Sequence, residues 1–409
     1  MTELSTQQRR HIRFAVLVAA LGYFVDIYDL LLFGIVRVKS LVSLGIPEEQ
    51  LLDYGVRLLN MQMAGLLLGG IIWGILGDRR GRLSVLFGSI LLYSVANIAN
   101  GFVTSVEAYG WLRLAAGVGL AGELGAGITL VSELMPKETR GYGTAIVASV
   151  GLAGAVVAAL VGDLFPWRTA YFIGGGLGLA LLVLRVGVAE SGMFTAALGQ
   201  RVSRGNFLSL FSSWNRLKRY GAVILIGVPI WYVVGILVTL APELGVALGL
   251  DEVPSAGRAI LWTYAGLVVG DFVSGWLSQV FKSRKKSAGL FIGLTMLSVV
   301  FYFVVGGTSL GVFYAICTLL GFATGYWAVF MTIASEQFGT NLRATATTTV
   351  PNFVRGSVVP VTFAFQAARA PFGLLGSAVV VGVVVFGVAL LALASLDETY
   401  GKDLDYLET

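Results

Sequence analysis

Twelve long apolar runs constrain this chain more than any other feature. A bilayer core of about 30 Å takes about 20 mostly apolar residues per helix. Runs of that kind fall near 14–37, 57–77, 83–104, 108–131, 142–165, 167–187, 220–241, 258–281, 287–306, 309–334, 345–367 and 371–395. Little is left for a soluble domain. The longest polar stretch, 188–219, joins the sixth and seventh runs and carries Arg201, Arg204, Arg216, Lys218 and Arg219. Composition agrees: 12% of residues are charged, against roughly 25% in soluble domains. The 54 glycines suit helices whose backbones approach closely in lipid. The first run is too long for a cleaved leader and carries acids. The chain therefore reads as an all-α membrane protein of twelve transmembrane helices.

Several function classes fall away. A single cysteine, Cys317, excludes an internal disulfide, and a single histidine, His11, leaves little for a metal site. No His or Cys partners a nucleophile and no aqueous glycine loop cradles phosphate, so no enzyme and no cofactor is expected. A net charge of +5, scattered along the chain, does not suggest nucleic acid.

Basic residues orient the spans, since positive flanks stay cytoplasmic. With an even span count both termini share one side. That side holds 20 basic residues, among them Arg9, Arg10, Arg13, Lys282, Arg284, Lys285 and Lys286; five (Lys39, Arg57, Arg168, Arg258, Arg369) lie in the opposite loops and three (Arg37, Arg113, Arg355) inside spans. Both termini are predicted to be cytoplasmic, in a cell inner or plasma membrane.

The chain also repeats. Gly74-Ile-Leu76-Gly-Asp78 matches Gly275-Trp-Leu277-Ser-Gln279 at an offset of 201, and Ser132-Glu133 with Arg140 matches Ser335-Glu336 with Arg343 at 203. Both matches sit at cytoplasmic helix ends. Repeated halves are a transporter signature. The expected organisation is a six-helix bundle over 1–187, a central loop at 188–219, and a second, pseudo-symmetric bundle with a short tail over 220–409.

These same residues carry a resemblance. Gly74-Ile-Leu-Gly-Asp78-Arg79-Arg-Gly81-Arg82, after span 2, resembles the loop signature of the major facilitator superfamily. That implies two bundles around a substrate cavity, alternating access by rocking, and a monomer. Gly22-Tyr-Phe-Val-Asp26-Ile-Tyr28-Asp29-Leu is similar to proton-coupled phosphate and metabolite symporters. Arg113-Leu-Ala-Ala-Gly117-Val-Gly119-Leu-Ala-Gly122-Glu123 resembles metabolite–proton symporters. Glu133-Leu-Met-Pro136-Lys-Glu-Thr-Arg140-Gly141 and Glu190-Ser191 fit those carriers and the animal organic-ion transporters.

An ionisable residue within a span is costly, so each is a functional candidate by default, with a buried structural pair as the alternative. Asp26 and Asp29, three residues apart, project from neighbouring faces of span 1. Mutual repulsion and desolvation penalise the ionised form, so such a carboxyl can carry a proton across. Arg37, three turns on, is expected near the outer mouth, where an anion is first met. In span 4, Glu123 lies about 15 Å deeper than Arg113 at 1.5 Å per residue. The resemblance implies that Arg113 pairs with Asp26 or Asp29, and that Glu123 is a second proton site. Asp271, where the repeat has Gly70, either binds a proton or balances Arg355.

Arg355 is the most informative charge. It sits mid-span between Pro351 and Pro360, and its repeat counterpart is Leu152. A guanidinium fork matches a carboxylate, and the organic-anion transporters resemble this arrangement in having a basic residue in span 11. A structural pair with Asp271 or Asp29 is the alternative. Asn352, Tyr28, Tyr232, Tyr326 and Trp327 join Arg355 as candidate substrate contacts, with Trp231 nearby; most membrane aromatics anchor or fill space instead. Asp78, Arg79, Gly81, Arg82, Glu133, Arg140, Glu336 and Arg343 form the expected cytoplasmic gate, an inner latch for the outward-open state. Gln279 replaces the acid in the second half and should weaken the latch there.

The favoured function is proton-coupled symport of a small organic anion, a carboxylate above others. Phosphate symport is the alternative from the span-1 string, although Glu123-Leu124 stands where those carriers resemble an Asp-Tyr pair. Export of an apolar or cationic compound by proton antiport is a third, and Arg355 argues against a cationic cargo. A receptor or channel needs neither repeat nor latch.

Overall fold

Every regular element among the described residues is helical, as backbone in lipid requires where no water can satisfy its polar groups. The computed structural model describes residues 6–80, 82–123, 125, 140–185 and 207–401, with side chains undescribed at 6–11, 77–80, 82–83, 140–146, 148–149, 208–209, 340–341 and 343–344. Helices α1 (Thr6–Ser43), α2 (Leu51–Arg80), α3 (Arg82–Asn100), α4 (Val106–Leu120), α5 (Arg140–Leu164) and α6 (Trp167–Arg185) supply spans 1 to 6. The second half begins with a 3-10 turn at Phe207–Phe211. It continues through α7 (Trp214–Tyr232), the short α8 (Ala241–Ala247), α9 (Ala256–Val280), α10 (Arg284–Val305), α11 (Leu310–Thr324), α12 (Trp327–Glu336), α13 (Thr340–Gly356) and α14 (Val358–Ser395).

The apolar runs anticipate these positions, but not where helices break. Span 7 passes from α7 into a π-helical turn at Val233–Val238, a few residues after Pro229. Span 10 is two pieces, α11 and α12, parted at Gly325 and Tyr326. Span 11 is α13 together with the start of α14. Span 12 follows Gly373, whose φ of 68° is a left-handed conformation that glycine adopts without cost. Much of the predicted central loop lies outside the described residues.

Glycine contacts repeat the internal symmetry in three dimensions. A Cβ on Gly65 or Gly69 of α2 would run into the Leu114 or Val118 carbonyl of α4, and one on Gly117 into the Gln62 carbonyl. One repeat later, Gly266 and Gly270 of α9 face the Thr318 and Phe322 carbonyls of α11, and Gly321 faces that of Thr263. Backbones this close gain dispersion that lipid cannot supply. Elsewhere large apolar side chains point outward, Phe272 at 77% and Leu391 at 74% exposure. In water such a surface would aggregate; in a bilayer it is solvated.

Between the halves, α9 packs on α5 and α13 on α2. Near the end that carries Arg37, polar contacts tie them: Arg37 to Glu243 at 2.7 Å, Arg369 to Asp53 at 2.5 Å, and the Thr362 hydroxyl to the Asn60 carbonyl at 2.6 Å. Arg37 is fully buried in its pair. The sequence suggests a position near the outer mouth; the structure adds its partner, Glu243 on the short α8.

At the other end, the tail after α14 folds back. The Glu398 carboxylate accepts from the Ser283 hydroxyl and from the N–H groups of Arg284, at 2.9 Å, and Lys285, at 3.3 Å. Arg284 pairs with Glu336 at 3.3 Å, and the Thr399 hydroxyl donates to Glu336 at 2.7 Å. Burial alone would raise the Glu398 carboxyl, but the Ser283 hydroxyl and three backbone N–H groups outweigh it and hold it below the usual range. A carboxyl lowered in the folded state stabilises above its unfolded pKa and loses that contribution as pH falls through the folded one. Replacing Glu398 with Gln should therefore lower the melting temperature at neutral pH. The gap to wild type should narrow in acid, as thermal unfolding at two pH values would show.

Candidate functional site

Asp26 and Arg355, separated by 329 residues, meet between the two halves. The Arg355 Nη2 lies 3.3 Å from the Asp26 Oδ2, with the two side chains 1% and 0% exposed. Helix α1 presents Tyr23 and Asp26 one turn apart. Arg355 lies in the last turn of α13, where carbonyls of a helix C-terminus favour a cation. The pair is under-satisfied: Asp26 Oδ1 and Arg355 Nε and Nη1 are buried without hydrogen-bond partners. A single long contact with three polar atoms unpaired is a poor solution for a permanent structural ion pair.

Arg355 opens onto a small cleft whose walls include Tyr23, Trp231, Tyr264 and Trp327. Leu152, the repeat counterpart of Arg355, lines it too, so the pseudo-symmetry delivers equivalent positions to one cavity and makes only one of them charged. The arrangement offers a guanidinium fork to an anion and flat rings to an unsaturated body.

The other charges stand apart from the cleft. Both Asp29 oxygens are buried without a partner. Arg113 makes no direct ion pair with either span-1 acid, although its charge acts favourably on Asp29. Its Nη2 donates to the Asn97 carbonyl at 2.5 Å and its guanidinium lies 4.9 Å from the Tyr171 ring centroid. Asn97 of α3 and Tyr171 of α6 intercept it. Glu123 is held by Arg185, with Arg185 Nη1 at 3.1 Å from Glu123 Oε2 and a second contact between Nη2 and Oε1; both are 1% exposed. Asp271 does not meet Arg355. Its Oδ1 accepts from the Ala328 N–H at 3.0 Å, at the start of α12.

Trp327 joins the cleft as expected. Tyr28, Tyr232 and Tyr326 do not line it in this conformation: their hydroxyls donate to the carbonyls of Ala170, Ala378 and Ile226 at 2.9, 2.7 and 2.9 Å. Buried hydroxyls need acceptors, and neighbouring helices supply them. The Asn352 amide donates to the Ala121 carbonyl at 2.9 Å, across the seam between α13 and α4. Of the expected gate, Glu336 is engaged as described above. Gly81 and Glu133, with the side chains of Asp78, Arg79, Arg82, Arg140 and Arg343, lie outside the described residues.

Sequence reasoning passed over Tyr23, Tyr264 and Arg185. The signal for the first two was helical spacing: Tyr23 is three residues before Asp26, and Tyr264 seven before Asp271. Arg185 sits at a span end, where it counted toward orientation rather than as a buried charge.

A profile of the Major Facilitator Superfamily matches residues 15–359. The chain belongs to that superfamily. It is a multi-pass membrane transporter and not an enzyme. Among its relatives is a niacin transporter of Acinetobacter baylyi, 27% identical, with 70% of this chain and 72% of that one covered. A gentisate transporter of Corynebacterium glutamicum is 25% identical over 81% of this chain and 76% of its own length. A 3-(3-hydroxy-phenyl)propionate transporter of Escherichia coli is 27% identical, covering 81% and 82%. The crystal structure of a D-xylose-proton symporter superposes with a TM-score of 0.71 at 20% identity, over 96% of this chain and all of that one. That superposition establishes the superfamily fold of twelve helices in two bundles.

Proposed function

We propose that this transporter is a proton symporter for a small organic carboxylate, and that Asp26 and Arg355 are its coupling pair. The observation that carries this reading is their lone 3.3 Å contact between the halves, at the wall of an aromatic cleft. Arg355 cannot lose its charge, so it needs an anion whenever it is buried. Ionised Asp26 fills that role when the cleft is empty. A proton on Asp26 releases the guanidinium, and a substrate carboxylate takes its place. Either closed state then buries the same net charge, and the bundles can rock around it. Three relatives named for carboxylates with an aromatic ring support the chemistry. So do the rings of Tyr23, Trp231, Tyr264 and Trp327.

The two bundles, 1–187 and 220–409, are the rocking units in this reading, joined by the 188–219 loop. The excess of Lys and Arg places both termini in the cytoplasm, and the protein works as a monomer. Asp29, Arg113 and Glu123 serve proton movement or packing within the first bundle.

The test replaces Asp26 with Asn in proteoliposomes offered nicotinate, gentisate or 3-(3-hydroxyphenyl)propionate from outside. Wild type is expected to accumulate at least one of them as outside pH falls. The variant should exchange that compound across the membrane but not accumulate it against a gradient. Accumulation at the wild-type level by the variant would remove Asp26 from the coupling.

A further inference from the structure

Span 10 is interrupted beside the cleft, and the interruption is bound from another helix. Helix α11 stops at Thr324, Gly325 and Tyr326 leave helical geometry, and α12 starts at Trp327. The first N–H groups of any helix lack partners within it. The residue preceding α12, Tyr326, gives no side-chain cap, because its hydroxyl reaches the other way, to the Ile226 carbonyl of α7. The acceptor comes instead from α9: Asp271 Oδ1, at 3.0 Å from the Ala328 N–H. A carboxylate there also meets the positive end of the half-helix dipole.

The approach is built for this contact. A Cβ on Gly325 would lie 2.5 Å from the Asp271 nitrogen and the Gly270 Cα, and one on Gly270 would strike the Phe322 carbonyl. Two glycines thus let the break in span 10 rest on the backbone of α9 at the residue that caps it. The first residue of α12, Trp327, is a wall of the cleft, and its ring lies 5.2 Å from that of Phe330, tilted by 41°. Tyr264 and Leu267, two turns and one turn before Asp271 on the same stripe of α9, are walls as well.

We propose that Asp271 is a positioning residue of the transport site: it caps the broken half of span 10 from α9 and thereby fixes Trp327 against the bound substrate. Its role is to accept a hydrogen bond, not to carry a proton or to balance Arg355. The importance of Trp327 rests on the cleft being the substrate site; the cap itself does not.

Two measurements on the full chain in nanodiscs separate these layers. In hydrogen exchange read by mass spectrometry, Asp271→Ala should speed exchange of the peptide spanning the start of α12. Asp271→Asn keeps the acceptor oxygen and should leave that rate near wild type. Equal rates in the wild type and Asp271→Ala would overturn the cap. The second measurement is binding of benzoate. Loss of a cap is expected to weaken benzoate by about five- to thirtyfold in Asp271→Ala, with Asp271→Asn close to wild type. In a Trp327→Ala background the same Asp271→Ala change should cost nothing further. An Asn variant as impaired as the Ala variant, or a full additive loss in the Trp327→Ala background, overturns the positioning role. If Asp271→Ala does not fold, the Asn variant still decides it, because a proton carrier loses pH-driven accumulation on amidation and a cap does not. Wild type that binds no benzoate would count against the carboxylate reading, while the exchange rates would still judge the cap.

Discussion

Arg355→Ala should abolish concentrative uptake of the carboxylate and weaken its binding by about thirtyfold or more, the cost of removing one partner of a buried charge pair. The protein should still fold. Asp26, left without its partner, can take up a proton and become neutral, which is how a lone buried carboxyl avoids the desolvation penalty. Arg355→Lys should recover little. An ammonium is a point charge and cannot offer two parallel donors, and the guanidinium has two unpartnered nitrogens, Nε and Nη1, ready for the second carboxylate oxygen. The measurement is binding and uptake by the purified variant in liposomes, with a melting curve beside it. An apparent affinity equal to wild type in Arg355→Ala would remove Arg355 from the site.

The residues legible in the sequence were those whose chemistry is expensive in lipid. Arg355 and Asp26 stood out because nothing about packing needs a charge at mid-span, and the structure sets them against each other. Partner choice was not legible. Asp26, Asp29 and Asp271 are equivalent as acids, and only the crossing of α1 with α13 selects the first. Asp271 stayed open between binding a proton and balancing Arg355, and its cap was not legible because Gly325-Tyr326 sits in an apolar run that reads as one continuous helix. The tyrosines failed as site markers for a related reason. A run of apolar residues does not say which neighbouring carbonyl a hydroxyl will find, so Tyr28, Tyr232 and Tyr326 looked like Tyr23 and Tyr264, of which only the last two line the cleft. The fold was easier because it follows from repeated constraints. The glycine pairs between α2 and α4 recur between α9 and α11, and the loop signature recurs with them.

Arg185 gives the second large effect, through an asymmetry between its two possible losses. Replacing Glu123 with Gln leaves a guanidinium that is 1% exposed and cannot deprotonate. Breaking a buried pair in that direction is expected to cost about 3–5 kcal/mol. Replacing Arg185 with Met strands Glu123 instead, and a carboxyl can neutralise itself, so the loss should be clearly smaller. The double variant, Glu123→Gln with Arg185→Met, buries no net charge and should recover much of the stability. Unfolding curves of the three variants in one detergent test this order, and equal losses in the two single variants would refute it. The same set bears on proton movement. Arg185 holds both Glu123 oxygens, whereas Asp26 has one long contact. If Glu123→Gln weakens the fold but still accumulates substrate as outside pH falls, its charge serves the packing of α4 against α6. The proton then belongs to span 1.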